Sequence, residues 1–187
     1  MRYRGPVALA VIGLTAAAVA DAKPARRTVP DNPPATATPA FLGTYKDWSA
    51  YTRASGEGKV CYALSEPKAK APDNVKRDPA YFLINDWPGR HARAETEIVP
   101  GYRYQEGSTV TVQIGSDKFA FFTKNEADSG SAWVLNPADD LKLLKAMRAG
   151  ATAVVTGTSR RGTKTTDTYD LSGVSEALSR IHEACAM

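Results

Sequence analysis

Two cysteines, two histidines and a short run of cations are the residues in this 187-residue chain whose types could do chemistry. Cys61 and Cys185 admit three readings: a disulfide, metal ligands, or a nucleophilic thiol. Metal binding would draw on His182, Glu183 and Cys185, but only one further histidine, His91, exists to complete a closed site. A nucleophile needs an activating imidazole beside a partly exposed thiol. Helical spacing instead puts Cys185 on the apolar stripe of Val174, Leu178 and Ile181. Cys61 lies in "KVCYALS" on a strand face shared with Lys59 and Ala63, small enough to admit a helix. In an oxidising compartment two cysteines in one mature domain pair. The expectation is therefore a Cys61–Cys185 disulfide, with metal and reactive-thiol readings as its alternatives. Closing so long a loop is worth about 5 kcal/mol on the chain-entropy estimate.

The histidines give little else. "DSGS", Asp128 to Ser131, has no G-x-S-x-G elbow around Ser129 or Ser131, and reads as a loop. "WPGRH", Trp87 to His91, groups an aromatic, a guanidinium and an imidazole, yet reads first as a Pro-Gly turn. Recognition chemistry is better served by Arg160, Arg161 and Lys164, three cations at a predicted hairpin tip. Guanidinium forks match phosphate and carboxylate geometry, although charged tips also serve solubility. "GYRYQEG" sets Tyr102 and Tyr104 on one face and Arg103 on the other. Tyrosines there could stack on a sugar, with an edge-of-core role as the plainer reading.

The segments around these residues decide the compartment. Arg2 and Arg4 precede an apolar run from Pro6 to Ala20 and a small-x-small site at Ala20, Asp21 and Ala22, the pattern of a signal peptide over residues 1–22. That run is shorter than the roughly 20 residues a transmembrane helix needs. Residues 23–40, rich in Pro, Ala and Thr without an apolar face, read as a disordered linker. One domain, 41–187, remains. The formal charge of +4 is a mild excess, compatible with anionic cell-surface polymers and far from a nucleic-acid binder.

Within that domain, strand-like runs bounded by Gly, Pro, Asp or Asn follow one another: "TYKDWSAYT", "KVCYALS", "AYFLIND", "ARAETEIV", "STVTVQIG", "KFAFFT", "GSAWVL", "TAVVTGTS" and "KTTDTYDL". "NPADDLKLLKAMRAG" breaks the alternation. Asn136 fits a cap, Pro137 the first helical position, Leu141, Leu144 and Met147 a buried stripe, and Gly150 the stop. The terminal helix takes Ser172 as its N-cap. The predicted fold is mainly β, an antiparallel sandwich or partly closed barrel with two short helices, one of them C-terminal.

With this order of elements the chain resembles the invasion associated locus B family of secreted bacterial proteins. The resemblance runs from about Trp48 to Cys185. It is carried by "TVTVQIGSDKFAFFT", by "LKAMRAGATAVVTGTSRRGT", and by "TYDLSGVSEAL", which matches the family's aromatic-x-Leu-x-Gly-x-x-x-Ala-Leu closing signature. Many members hold a second cysteine pair near the strand that reads "NEADSGSAWVL" here; with Ser131 in that neighbourhood this chain falls in a two-cysteine branch. The resemblance implies a β-sandwich exported into the Gram-negative periplasm or envelope, a founding member linked to host-cell invasion, and no catalytic residue to carry over. The expected function is a secreted or periplasmic, non-enzymatic binding module, virulence-related where it meets a host cell. The expected partner is an anionic envelope or host-surface macromolecule, with no nucleic acid, cofactor, metal or transmembrane segment. The alternative is an envelope hydrolase using His91 or His182.

Overall fold

The computed structural model describes residues 38–187, so the expected signal peptide (1–22) and nearly all of the expected linker (23–40) lie outside the described residues. In chain order the strands are β1 (Ala40–Tyr45), β2 (Trp48–Ser55), β3 (Gly58–Ser65), β4 (Ala69–Ala71), β5 (Tyr81–Trp87), β6 (Ala92–Val99), β7 (Thr109–Ile114), β8 (Asp117–Asn125) and β9 (Gly130–Val134). Helix α1 (Asp140–Ala149), β10 (Thr152–Thr158), β11 (Lys164–Asp170) and helix α2 (Val174–Cys185) complete the domain. The strands form one continuous antiparallel sheet in the order β1-β2-β3-β5-β6-β9-β8-β7-β10-β11-β4. It does not close, and β1 and β4 are its edges.

The sheet folds so that its two halves share one core. Trp48 on β2 donates its indole N–H to the carbonyl of Asp170 at 3.1 Å, and Phe82 on β5 meets Tyr169 on β11 edge-on at 5.6 Å. Strand alternation explains the rest. Val110, Val112, Ile114, Phe119, Phe121, Ala153 and Val155 point inward and are buried. Thr111, Ala120 and Thr156 lie in register on the other face. Helix α2 lays Val174, Ala177, Leu178, Ile181 and Cys185 over Trp48, Ala50, Cys61 and Ala63. The structure joins Cys61 to Cys185, with Cα atoms 5.9 Å apart.

Three local expectations are corrected, and one strand was not among them. "TYKDWSAYT" is two strands, because Lys46 adopts φ 52° and reverses the chain between Tyr45 and Trp48. The short edge strand β4 carried too little alternation to be seen. On α1 the buried residues are Leu143 and Met147, while Leu141 is 80% exposed. A 3₁₀ turn at Pro137–Asp139 precedes the α-helix and takes the Asn136 cap, its Oδ1 accepting the Ala138 N–H at 3.2 Å, so the face reaching the core is displaced. On α2 the N-cap is Gly173 at φ 90°, not Ser172. A Cβ at Gly173 would lie 1.8 Å from the Tyr45 carbonyl oxygen, which leaves only glycine at this contact.

Candidate functional site

The cationic tip is held on a rigid support. After β10 the chain turns at Ser159–Thr163: the Gly162 N–H donates to the Ser159 carbonyl at 2.8 Å, and Gly162 takes φ 83°. The tip is tied sideways to the segment after β6, since the Arg160 N–H donates to the Arg103 carbonyl at 2.8 Å and Tyr104 forms an isolated bridge with Ser159. Asn125 then clamps Tyr104, accepting its N–H at 2.8 Å and donating to its carbonyl at 2.9 Å. Tyr104 is 1% exposed, so the pair of tyrosines belongs to the edge of the core.

These connections shape a cleft of about 700 Å³ lined by five cations, Lys76, Arg77, Arg103, Arg160 and Arg161, and by two carboxylates, Asp78 and Asp128. The floor is neutralised from within. Arg77 forks onto Asp167, with one bond at 2.8 Å, and also donates to the Pro100 carbonyl at 3.0 Å; both side chains of the pair are almost fully buried. The Asp167 hydrogen bonds raise the Arg77 pKa above its ordinary value. Beside them the Tyr102 hydroxyl meets Thr165 Oγ1 at 2.6 Å, and burial pushes the phenol pKa up. Arg77 therefore serves as scaffold. Among the described residues Lys76, Arg160 and Arg161 form no ion pair. Arg103 is only loosely engaged, 3.9 Å from Glu106. Such a wall suits phosphate, sulfate or carboxylate groups carried along a chain. Arg160 and Arg161 reach the cleft; Lys164, at the start of β11, lies outside its lining.

The invasion associated locus B family profile matches residues 48–182, from the first residue of β2 into the last turn of α2. The chain belongs to the invasion associated locus B family. No curated protein matches it in sequence. Among solved structures, the crystal structure of invasion associated protein B from Bartonella henselae superposes with a TM-score of 0.53 at 16% identity, covering 79% of this chain and 100% of that one. At that identity the likeness concerns the fold.

The family's closing signature takes a structural meaning here. Tyr169, Leu171, Ala177 and Leu178 are at most 2% exposed, and Gly173 abuts the Tyr45 carbonyl. The motif docks α2 against the sheet. The histidines lie apart from the cleft. His91 is exposed at φ 54°, closing the "WPGRH" turn, where Arg90 stacks over the Trp87 ring at 4.3 Å. His182 meets the fully buried Asp86 through Nδ1 at 2.6 Å. Its imidazole has no hydroxyl or thiol partner among the described residues. Residue types alone did not single out Asp86 and Asp167. The available signal was an aspartate at an inward position of an alternating strand, after Phe82 and Ile84 in one case and between Thr165 and Tyr169 in the other. Among the described residues no helix is long and apolar enough to cross a membrane.

Proposed function

We propose that this invasion associated locus B family member is an exported, non-enzymatic binding module of the cell envelope that engages an anionic polymer at an envelope or host surface. The observation that carries the reading is the cleft: Arg160, Arg161 and Lys76 present unpaired charge on a frame pinned by Asn125, the Tyr104 bridge and the Arg77–Asp167 pair. The family's name, the disulfide and the leader-like N-terminus support export. Several cations facing one polyanion release counterions on binding, so affinity falls steeply with salt.

Replacing Lys76, Arg160 and Arg161 together with Ser should weaken binding to a sulfated or phosphorylated polysaccharide column and flatten its salt dependence. Lys164→Ser, outside the cleft, should act only weakly. Equal effects of the two variants would point to diffuse charge and remove the cleft from the argument. A hydrolase reading draws on the Asp86–His182 pair, which resembles the base half of a catalytic triad. Turnover of an ester or phosphodiester substrate that His182→Gln abolishes would favour it.

A further inference from the structure

A second cavity, of about 600 Å³, opens where the start of β6 meets α1 and the end of α2, a size within the ~300–1,000 Å³ of small-molecule clefts. Arg93, Lys145 and Arg148 stand around it, Leu141 and Leu144 form an apolar wall, and His182 closes one side. One buried carboxylate builds two of these walls. Asp86, 0% exposed, accepts the Ala94 N–H on Oδ1 at 2.8 Å and meets His182 Nδ1 with Oδ2 at 2.6 Å. Ala94 holds φ 54° inside the bulge where the β5–β6 register shifts between Asn85 and Trp87. A non-glycine residue in that region is strained, and such bulges persist where surrounding contacts over-determine them, characteristically beside sites. The bulge places Arg93 in the cavity wall, and the Asp86 bond fixes the His182 ring that closes one side.

The lining is doubly unsatisfied. Arg93, Lys145 and Arg148 form no ion pair among the described residues, and Leu141 is 80% exposed beside them. A bare anion would leave the leucines wet; an uncharged lipid would leave three cations unanswered. We propose that this groove binds a single-chain anionic amphiphile, a fatty acid or a lysophospholipid. Its carboxylate or phosphate head meets Arg93, Lys145 and Arg148, and its chain covers Leu141 and Leu144. The site is separate from the cationic cleft and does not depend on what the cleft binds.

The test is displacement of a dansylated undecanoic acid from the disulfide-bonded protein, below micelle-forming concentrations. The competitors are laurate, lauroyl-lysophosphatidylglycerol, uncharged monolaurin and inorganic phosphate. Laurate or the lysophospholipid should displace the probe at least about tenfold better than monolaurin or phosphate; their relative strength tells a carboxylate site from a phosphate one. Lys145→Glu with Arg148→Glu should weaken probe binding about tenfold or more, and so should Leu141→Asp, an exposed position where the fold has little at stake. The Arg160→Ser, Arg161→Ser variant should bind the probe as the parent does, so failure here and failure of the polyanion reading are told apart. Four results would overturn the proposal: no saturable probe binding, phosphate matching laurate, monolaurin matching laurate, or unchanged affinity in the charge-reversed protein.

Discussion

Breaking the Cys61–Cys185 bond is the perturbation whose size the structure fixes best. The bond spans 124 positions, for which loop-closure entropy gives about 5 kcal/mol, model-dependent and an upper figure in practice. Val174, Leu178 and Ile181 beside it are at most 2% exposed, so α2 also has apolar contacts that do not run through the sulfurs. At about 2–4 °C per kcal/mol for a domain of this size, the midpoint should fall by about 10–20 °C. The loss should be local before it is global. The bond holds the last turn of α2 to β3, so α2 should exchange its amide protons early while β7, β8, β10 and β11 stay protected. Circular-dichroism melts of oxidised protein, reduced protein and the Cys61→Ala, Cys185→Ala double variant, with hydrogen exchange on each, measure both parts. Reduced and doubly substituted forms should coincide. A midpoint drop below about 3 °C in both, or α2 amides as protected as in the oxidised form, would refute the latch.

Three further outcomes follow from single contacts. Burial raises the Glu97 pKa despite bonds from Ser131 and Asn85, so the folded state holds that proton more tightly than the unfolded one and the group's contribution to stability falls as pH rises from its ordinary value through the raised one; Glu97→Gln should flatten the weakly acid limb of a stability-pH profile and raise the midpoint at neutral pH. Asp167→Ala strands the almost fully buried Arg77 and should cost about 3–5 kcal/mol in denaturant melts, most of it recovered when Arg77→Met is added. Gly173→Ala combines φ 90° with a blocked Cβ position; it should cost more than the ~1–3 kcal/mol of backbone strain alone, read as a lower urea midpoint.

Alternation made most of the sheet legible: "ARAETEIV" is β6 residue for residue, and the hairpin from Thr109 to Asn125 pairs Val112 with Phe119 as its inward residues require. What alternation could not show was whether a run continues or reverses. The turn at Lys46 depends on a left-handed lysine, a conformation that sequence propensity disfavours. The helix stripe failed for a related reason. A 3₁₀ turn shifted the phase of α1, which exposed Leu141 and buried Leu143. The tip cations were legible as a cluster, but their partners Lys76, Arg77 and Arg103 come from loops far away in sequence, and only the folded chain brings them together.

The two cavities share a construction that neither shows alone. Each is anchored by an aspartate at an inward strand position where an apolar residue would ordinarily stand, Asp167 beneath the cleft and Asp86 beside the groove, 3% and 0% exposed. A buried carboxylate is costly unless its oxygens are answered. Arg77 answers the first; the Ala94 N–H and the His182 imidazole answer the second. The cost of burial is thereby converted into fixed positions for the groups that line each cavity. Strand β6 separates them, with Arg93 and Ala94 at its start and Gly101 to Arg103 just beyond its end, about 25 Å at strand rise. Cationic surfaces that arose only for solubility would need no such anchors, because solvated lysines and arginines hold no particular geometry. Here one buried acid fixes Arg77 and the other fixes Ala94 and His182, so each cavity has a frame of defined geometry beside its cations, at opposite ends of one strand.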